Sequence, residues 1–198
     1  MKTALLVIDV QKVYTNPGSE LFCPDSTATL DRINALIGRF QETGDPIVYV
    51  RHVHNPDGTD LGRMFDFSGG WSGEFNFKEG AEEVEHDYRL IISPANALEI
   101  TKTRYSCFAN TKLSTELEGR GIDSVVVCGF MTNFCCESTA RDAHDRDYYV
   151  DFIVDATGNP GLPAMDEVTV RNAVGTFMQA GFARVTTARD FLSHRTSA

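Results

Sequence analysis

Ser124-Val125-Val126-Val127-Cys128-Gly129-Phe130-Met131-Thr132-Asn133-Phe134-Cys135 carries the clearest fold signal in the chain. Residues 124–130 form an almost unbroken apolar run rich in valine, the pattern of a buried strand. Residues 135–146 behind it are helical in composition. A buried strand feeding a helix is half of a βαβ unit, and the same alternation recurs on either side.

Upstream, residues 3–10 read as another strand buried on both faces. Leu30, Ile33, Ile37 and Phe40 then repeat at three- and four-residue spacing and give one apolar helix face. Gly44-Asp45-Pro46 breaks the chain before a strand at residues 47–53. Residues 55–75, with Ser68-Gly69-Gly70-Trp71-Ser72-Gly73 inside them, are irregular, and so long a loop in a compact domain suits a lid or pocket wall. A short strand is predicted at 97–103 and a helix at 111–117, stopped by Gly119 and Gly121. Downstream come a strand at 148–155 and a helix at 165–179. That helix has Val168, Val174, Phe177 and Met178 as its face and Gly181 as its stop; a last strand follows at 183–187. No repeat or linker interrupts the series. The prediction is an α/β fold, a Rossmann-like parallel sheet with helices on both faces, in which residues 1–198 form a single domain.

Composition narrows the function. A chain of 198 residues with 42% hydrophobic content supports one real core. The net charge of −10 repels phosphate backbones and anionic membranes, so no nucleic acid or membrane partner is expected. No stretch approaches the about 20 apolar residues needed to span a bilayer. The run at 4–8 stops at Asp9 and is too short for a signal peptide. Five cysteines, two of them adjacent at Cys135 and Cys136, read as reduced thiols and place the protein in the cytoplasm.

In an open parallel sheet, ligands collect at the carboxyl ends of the strands. Asp9 ends the first strand, Lys102 lies in Glu99-Ile100-Thr101-Lys102-Thr103-Arg104-Tyr105-Ser106, and Cys135 follows the strand at 124–130. A thiol at a helix N-terminus feels the positive end of the dipole, and a neighbouring ammonium would lower its pKa further. A carboxylate beside it could take the thiol proton and hand it to a departing amine. Taken singly, Asp9 also suits a turn former, Lys102 a surface lysine and Cys135 a small core residue. Their joint position at the strand ends is what favours chemistry.

Three ordered motifs resemble the isochorismatase-like cysteine hydrolases. These are Leu6-Val7-Ile8-Asp9-Val10-Gln11; Lys102-Thr103-Arg104-Tyr105-Ser106-Cys107-Phe108 with Asn110-Thr111; and Gly129 to Cys135 with Thr139-Ala140-Arg141-Asp142-Ala143. The resemblance implies Asp9 as general base, Lys102 as charge stabiliser and Cys135 as nucleophile toward a small amide or ureido substrate. It further implies a cis peptide at Phe130–Met131 and an oxyanion hole from the backbone N–H groups of Met131 and Cys135. No organic cofactor is required, and a homo-oligomer, a dimer or tetramer, is expected. Cys136 stands where relatives usually carry valine and reads as packing.

The family's nicotinamidases bind a metal through an Asp-x-His pair and a later histidine. Here His52 replaces that aspartate, His54 matches the histidine, and Glu74 falls near the third position, so the expectation is no metal. His52, Trp71 and Phe134 are candidates for lining the substrate pocket, with Phe65 and Phe67 beside them. Isochorismatases cleave a vinyl ether and need no thiol, so Cys135 favours a C–N substrate. Two readings of another class stay open: a thiol redox or sensor protein built on Cys135-Cys136, and an idle binding module of the same fold.

Overall fold

The computed structural model describes residues 1–66, 69, 73–92 and 97–195. Trp71 and Phe67 lie outside the described residues. Six parallel strands form one sheet: β1 (Thr3–Ile8), β2 (Ile47–His52), β3 (Ala97–Lys102), β4 (Ser124–Phe130), β5 (Tyr149–Gly158) and β6 (Arg184–Thr186). Their spatial order is β3-β2-β1-β4-β5-β6. The chain therefore builds outward from β1 to one edge, then crosses over and builds outward from β4 to the other. That reversal between β1 and β4 is the switch point at which open α/β sheets bind ligands.

Helices α1 (Lys12–Thr15), α2 (Ser26–Thr43), α3 (Leu113–Gly119), α4 (Glu137–His144), α5 (Glu167–Gly181) and α6 (Ala188–Arg195) flank the sheet. Every residue of β1 and β4 is buried, because alternate side chains serve two separate cores. Leu6, Ile8, Val125 and Val127 join Leu113, Leu117, Ala140 and Val174 on one face. Leu5, Val7, Val126 and Cys128 join Leu30, Ile33, Phe40 and Phe191 on the other. Such double burial is why these strands read as continuous apolar runs.

Gly129 holds the two central strands together. Its φ is +125°, and a Cβ there would fall on the Ile8 carbonyl oxygen, 2.7 Å from Ile8 C and 2.8 Å from Ile8 N. Only glycine allows β4 to approach β1 this closely in that conformation.

The α5 face differs from the prediction. Its buried stripe is Val170, Val174, Gly175 and Met178, while Val168 and Phe177 are 53% and 56% exposed. The stripe centres on Val174, so Val168 falls on the far side of the helix and Phe177 at its rim. Helix α4 also begins later than predicted, at Glu137, after a π-helical turn over Thr132–Cys136.

Candidate active site

Three side chains converge at the carboxyl ends of β1, β3 and β4. The chain turns sharply as it leaves β1. Asp9 has φ +51°, its N–H donates to the Val50 carbonyl at 3.0 Å, and its carbonyl accepts the Gln11 N–H at 2.8 Å. Aspartate is among the few residues that visit this left-handed region routinely. Lys102 is the last residue of β3 and lies in register with His52 of β2. Cys135 lies in the π-helical turn, where the Cys136 N–H donates to the Met131 carbonyl at 3.1 Å. The peptide between Phe130 and Met131 is cis.

The Lys102 ammonium ties the set together. Its Nζ lies 2.7 Å from Asp9 Oδ2 and donates to Cys135 Sγ at 3.2 Å and to the Arg104 carbonyl at 3.0 Å. The contact with Asp9 is an ion pair, and neither Asp9 carboxylate oxygen has a hydrogen-bond partner among the described residues. Asp9, Lys102 and Cys135 are almost wholly buried, at 0%, 1% and 2% exposure. Burial sets their protonation. It raises the Asp9 pKa, a rise that the Lys102 charge opposes. Burial also pushes the Cys135 thiol up, and Lys102 offsets only part of this while Asp9 adds to it. The net effect on Lys102 is upward: burial acts most strongly and against its charge, and Asp9 together with the neighbouring Cys135 and Cys107 more than offsets it.

Burial therefore favours the neutral thiol at Cys135, and the Lys102 charge is what favours the ionised form of Asp9. This corrects the expectation of a lowered thiol pKa. The ammonium is present, but it is matched to Asp9, and loss of water outweighs what remains.

His52 sits beside this set. Single ligand atoms of Asp9, His52 and Cys135 lie within 4.8 Å of one another. Its ring stacks on Phe77 at 4.6 Å and 8°, and its Nε2 lies 2.9 Å from Nε2 of His54. Nδ1 of His54 faces Asp60 Oδ1 at 3.2 Å. Burial lowers the pKa of both imidazoles, so both are neutral and one Nε2 donates to the other. Phe134 is half-buried and packs on Tyr105, with ring centres 5.2 Å apart. Phe65 meets His54 edge-on at 6.3 Å.

Among the described residues, the metal set that His52, His54 and Glu74 would form is not assembled. Glu74 is 92% exposed and pairs with Lys78, so it does not converge with His52 and His54. At Asp9, His52 and Cys135 a cation would face the Lys102 ammonium, already 3.2 Å from the sulfur and 2.7 Å from the carboxylate.

Gln11 is a positioning residue that the sequence reading quoted without a role. Its side-chain amide accepts the His52 N–H at 2.9 Å and donates to the carbonyls of His52 and Val84 at 3.0 and 2.7 Å. It thus fixes the end of β2, and with it His52. The available signal was a glutamine three residues beyond a buried strand, where an unpaired amide would be costly.

Comparison with known proteins gives the family. A model of the isochorismatase domain matches residues 3–190. The ureidoacrylate amidohydrolase RutB of Methylorubrum extorquens is 31% identical over 188 residues, covering 86% of this chain and 75% of that protein. Nicotinamidase 3 of Arabidopsis thaliana is 31% identical over 157 residues, covering 78% of this chain and 72% of that protein. The crystal structure of a cysteine hydrolase from Pseudomonas syringae pv. phaseolicola 1448A superposes with a TM-score of 0.88 at 29% identity. It covers 97% of this chain, which covers 91% of it in turn. A family model that spans nearly the whole chain, together with this fold and these relatives, makes the protein a member of the isochorismatase family of hydrolases.

Proposed function

We propose that the protein hydrolyses a small amide or ureido C–N bond through a thioester on Cys135, with Asp9 as general base and Lys102 as charge stabiliser. The single observation that carries this reading is the Lys102 ammonium bridging Asp9 and Cys135 at 2.7 and 3.2 Å. The named activities of the amidohydrolase and nicotinamidase relatives support the bond class. In the first half-reaction Asp9 takes the thiol proton as sulfur attacks the carbonyl carbon. The oxyanion accepts hydrogen bonds from the Met131 and Cys135 N–H groups. Collapse breaks the C–N bond, and the proton on Asp9 passes to the leaving ammonia or amine. In the second half-reaction Asp9 deprotonates water, which attacks the thioester and frees the thiol and the acid. Lys102 stays protonated throughout and balances the charge on Asp9 and sulfur.

The same reading takes residues 1–198 as one domain acting on a small molecule in the cytoplasm, with His52 and Phe134 lining the pocket. It also takes the chain as a homo-oligomer, for which the exposed apolar Val168 and Phe177 are the support. A thiol sensor built on Cys135 and Cys136 is less favoured, because it gives Asp9 and Lys102 no task. All five cysteines are free thiols.

The test is ammonia release from a panel of small amides and ureides, with intact-protein mass measured during turnover. The expected result is ammonia from at least one panel member and an acyl adduct on Cys135 that hydroxylamine removes. Turnover with the adduct on another residue, or no turnover across the panel, sinks the proposal.

The pH profile gives a separate check. Asp9 must be ionised to accept the thiol proton, and burial raises its pKa above the ordinary 3.8. Acid therefore removes the active form at a higher pH than for an exposed aspartate. We expect kcat/KM, on a substrate that does not itself titrate in that range, to rise with pH through one ionisation above that value and then level off. Activity that stays flat down to pH about 4, the ordinary aspartate range, would rule Asp9 out as the base.

A further inference from the structure

Arg104 belongs to the lysine motif, yet the chemistry above gives its side chain no role. Its Nη1 donates to the carbonyls of Asp60 and Thr103 at 2.8 and 2.6 Å. Both N–H groups of Nη1 are thereby used. Nε and Nη2 are left, and these two form the edge of a guanidinium that grips a carboxylate with parallel hydrogen bonds. Among the described residues Arg104 forms no ion pair, and the hydrogen bonds of its guanidinium all come from Nη1.

Its position is at the candidate site. Arg104 lies two residues beyond Lys102, whose ammonium donates to the Arg104 carbonyl. Its guanidinium and the His54 ring are both held by Asp60, one through the backbone carbonyl and the other through the side chain. It is close enough to His52 and His54 for its charge to bear on both rings. Gly62 packs against it, and a side chain there would run into Nη2. The Lys102 charge is matched by Asp9, so Arg104 brings a positive charge with no ion-pair partner among the described residues to the candidate site of a chain whose net charge is −10.

We infer that Arg104 binds a carboxylate carried by the substrate, so that the protein acts on an amide or ureido acid and not on a neutral amide. This rests on the hydrolase reading for its bond class but is tested apart from it, by binding to the intact chain carrying Cys135→Ala. The probes are N-carbamoylglycine and its uncharged methyl ester, measured by titration calorimetry. Charge-assisted, two-point recognition predicts a preference for the acid of about 10- to 100-fold. Arg104→Gln should bring that ratio close to one, and Arg104→Lys should restore part of it. A ratio that Arg104→Gln leaves unchanged overturns the inference. So does an equal fall in both affinities, which would make Arg104 a loop support. Equal or absent binding of the two probes before any change at Arg104 overturns it as well. Carboxylate binding that depends on Arg104, in a protein that hydrolyses no panel member, would uphold the inference and reject the hydrolase reading. Hydrolysis without acid preference would do the reverse.

Discussion

Cys135→Ala should lower turnover of the amide or ureide by about 10⁴-fold while leaving the protein folded. No other described group can take over the attack. Cys107 and Cys136 are fully buried, and burial pushes both thiols up, that of Cys107 to about 12. Neither has the ammonium contact that Cys135 has at 3.2 Å. The structural cost is small, because the substitution removes one sulfur and leaves a void costing about 1 kcal/mol. Lys102 keeps its ion pair with Asp9 and its hydrogen bond to the Arg104 carbonyl. Removing Lys102 instead would strand a buried carboxylate, which costs about 3–5 kcal/mol, and lost chemistry could not then be told from lost fold. Ammonia release and a thermal melt on the same preparation make the check. Activity that survives with an unchanged melt would remove Cys135 from the mechanism.

The strands were legible in the sequence because β1 and β4 are buried on both faces and leave no polar interruption. The run predicted at 124–130 is the observed β4. The convergence of Asp9, Lys102 and Cys135 was legible for a related reason, since each falls at the same end of a parallel strand. Two short helices were missed. α1 spans only Lys12–Thr15, too short to show a period. α6 carried a signal that went unread: the Thr187 hydroxyl donates to Asp190 Oδ2 at 2.8 Å and accepts the Asp190 N–H at 3.1 Å, a variant of the capping box. Its Phe191 then stacks on Phe40. The protonation of the site could not be read from sequence at all. An ammonium near a thiol lowers its pKa in a wet site, and only the degree of burial and the second partner, Asp9, reverse the outcome. Phe177 was misread because 3.6-residue periodicity places it at the edge of the α5 stripe, where neighbouring elements decide exposure.

Gly129→Ala should prevent folding to the native state. The new methyl would fall on the Ile8 carbonyl oxygen and lie 2.7 Å from Ile8 C, and these are backbone atoms with no rotamer to move. Ile8 and Gly129 are paired in the central ladder, so relief requires the two middle strands to separate at the switch point. The φ of +125° adds a conformational penalty that no L side chain escapes. Separation there would also displace Asp9, one residue beyond Ile8, and the turn from Met131 to Cys135, so any protein that did fold would lack an assembled site. The expected destabilisation exceeds about 4 kcal/mol, a large fraction of a domain's about 5–15 kcal/mol. Insoluble expression or loss of a cooperative melt would be the observation. Gly38→Ala is the matched control: it lies in α2, a Cβ there meets nothing within 4 Å, and helix propensity favours alanine by about 1 kcal/mol. A soluble Gly129→Ala protein melting within a few degrees of the parent would mean that β1 and β4 have room to spare. The close approach that fixes Asp9 opposite Cys135 would then owe nothing to this glycine.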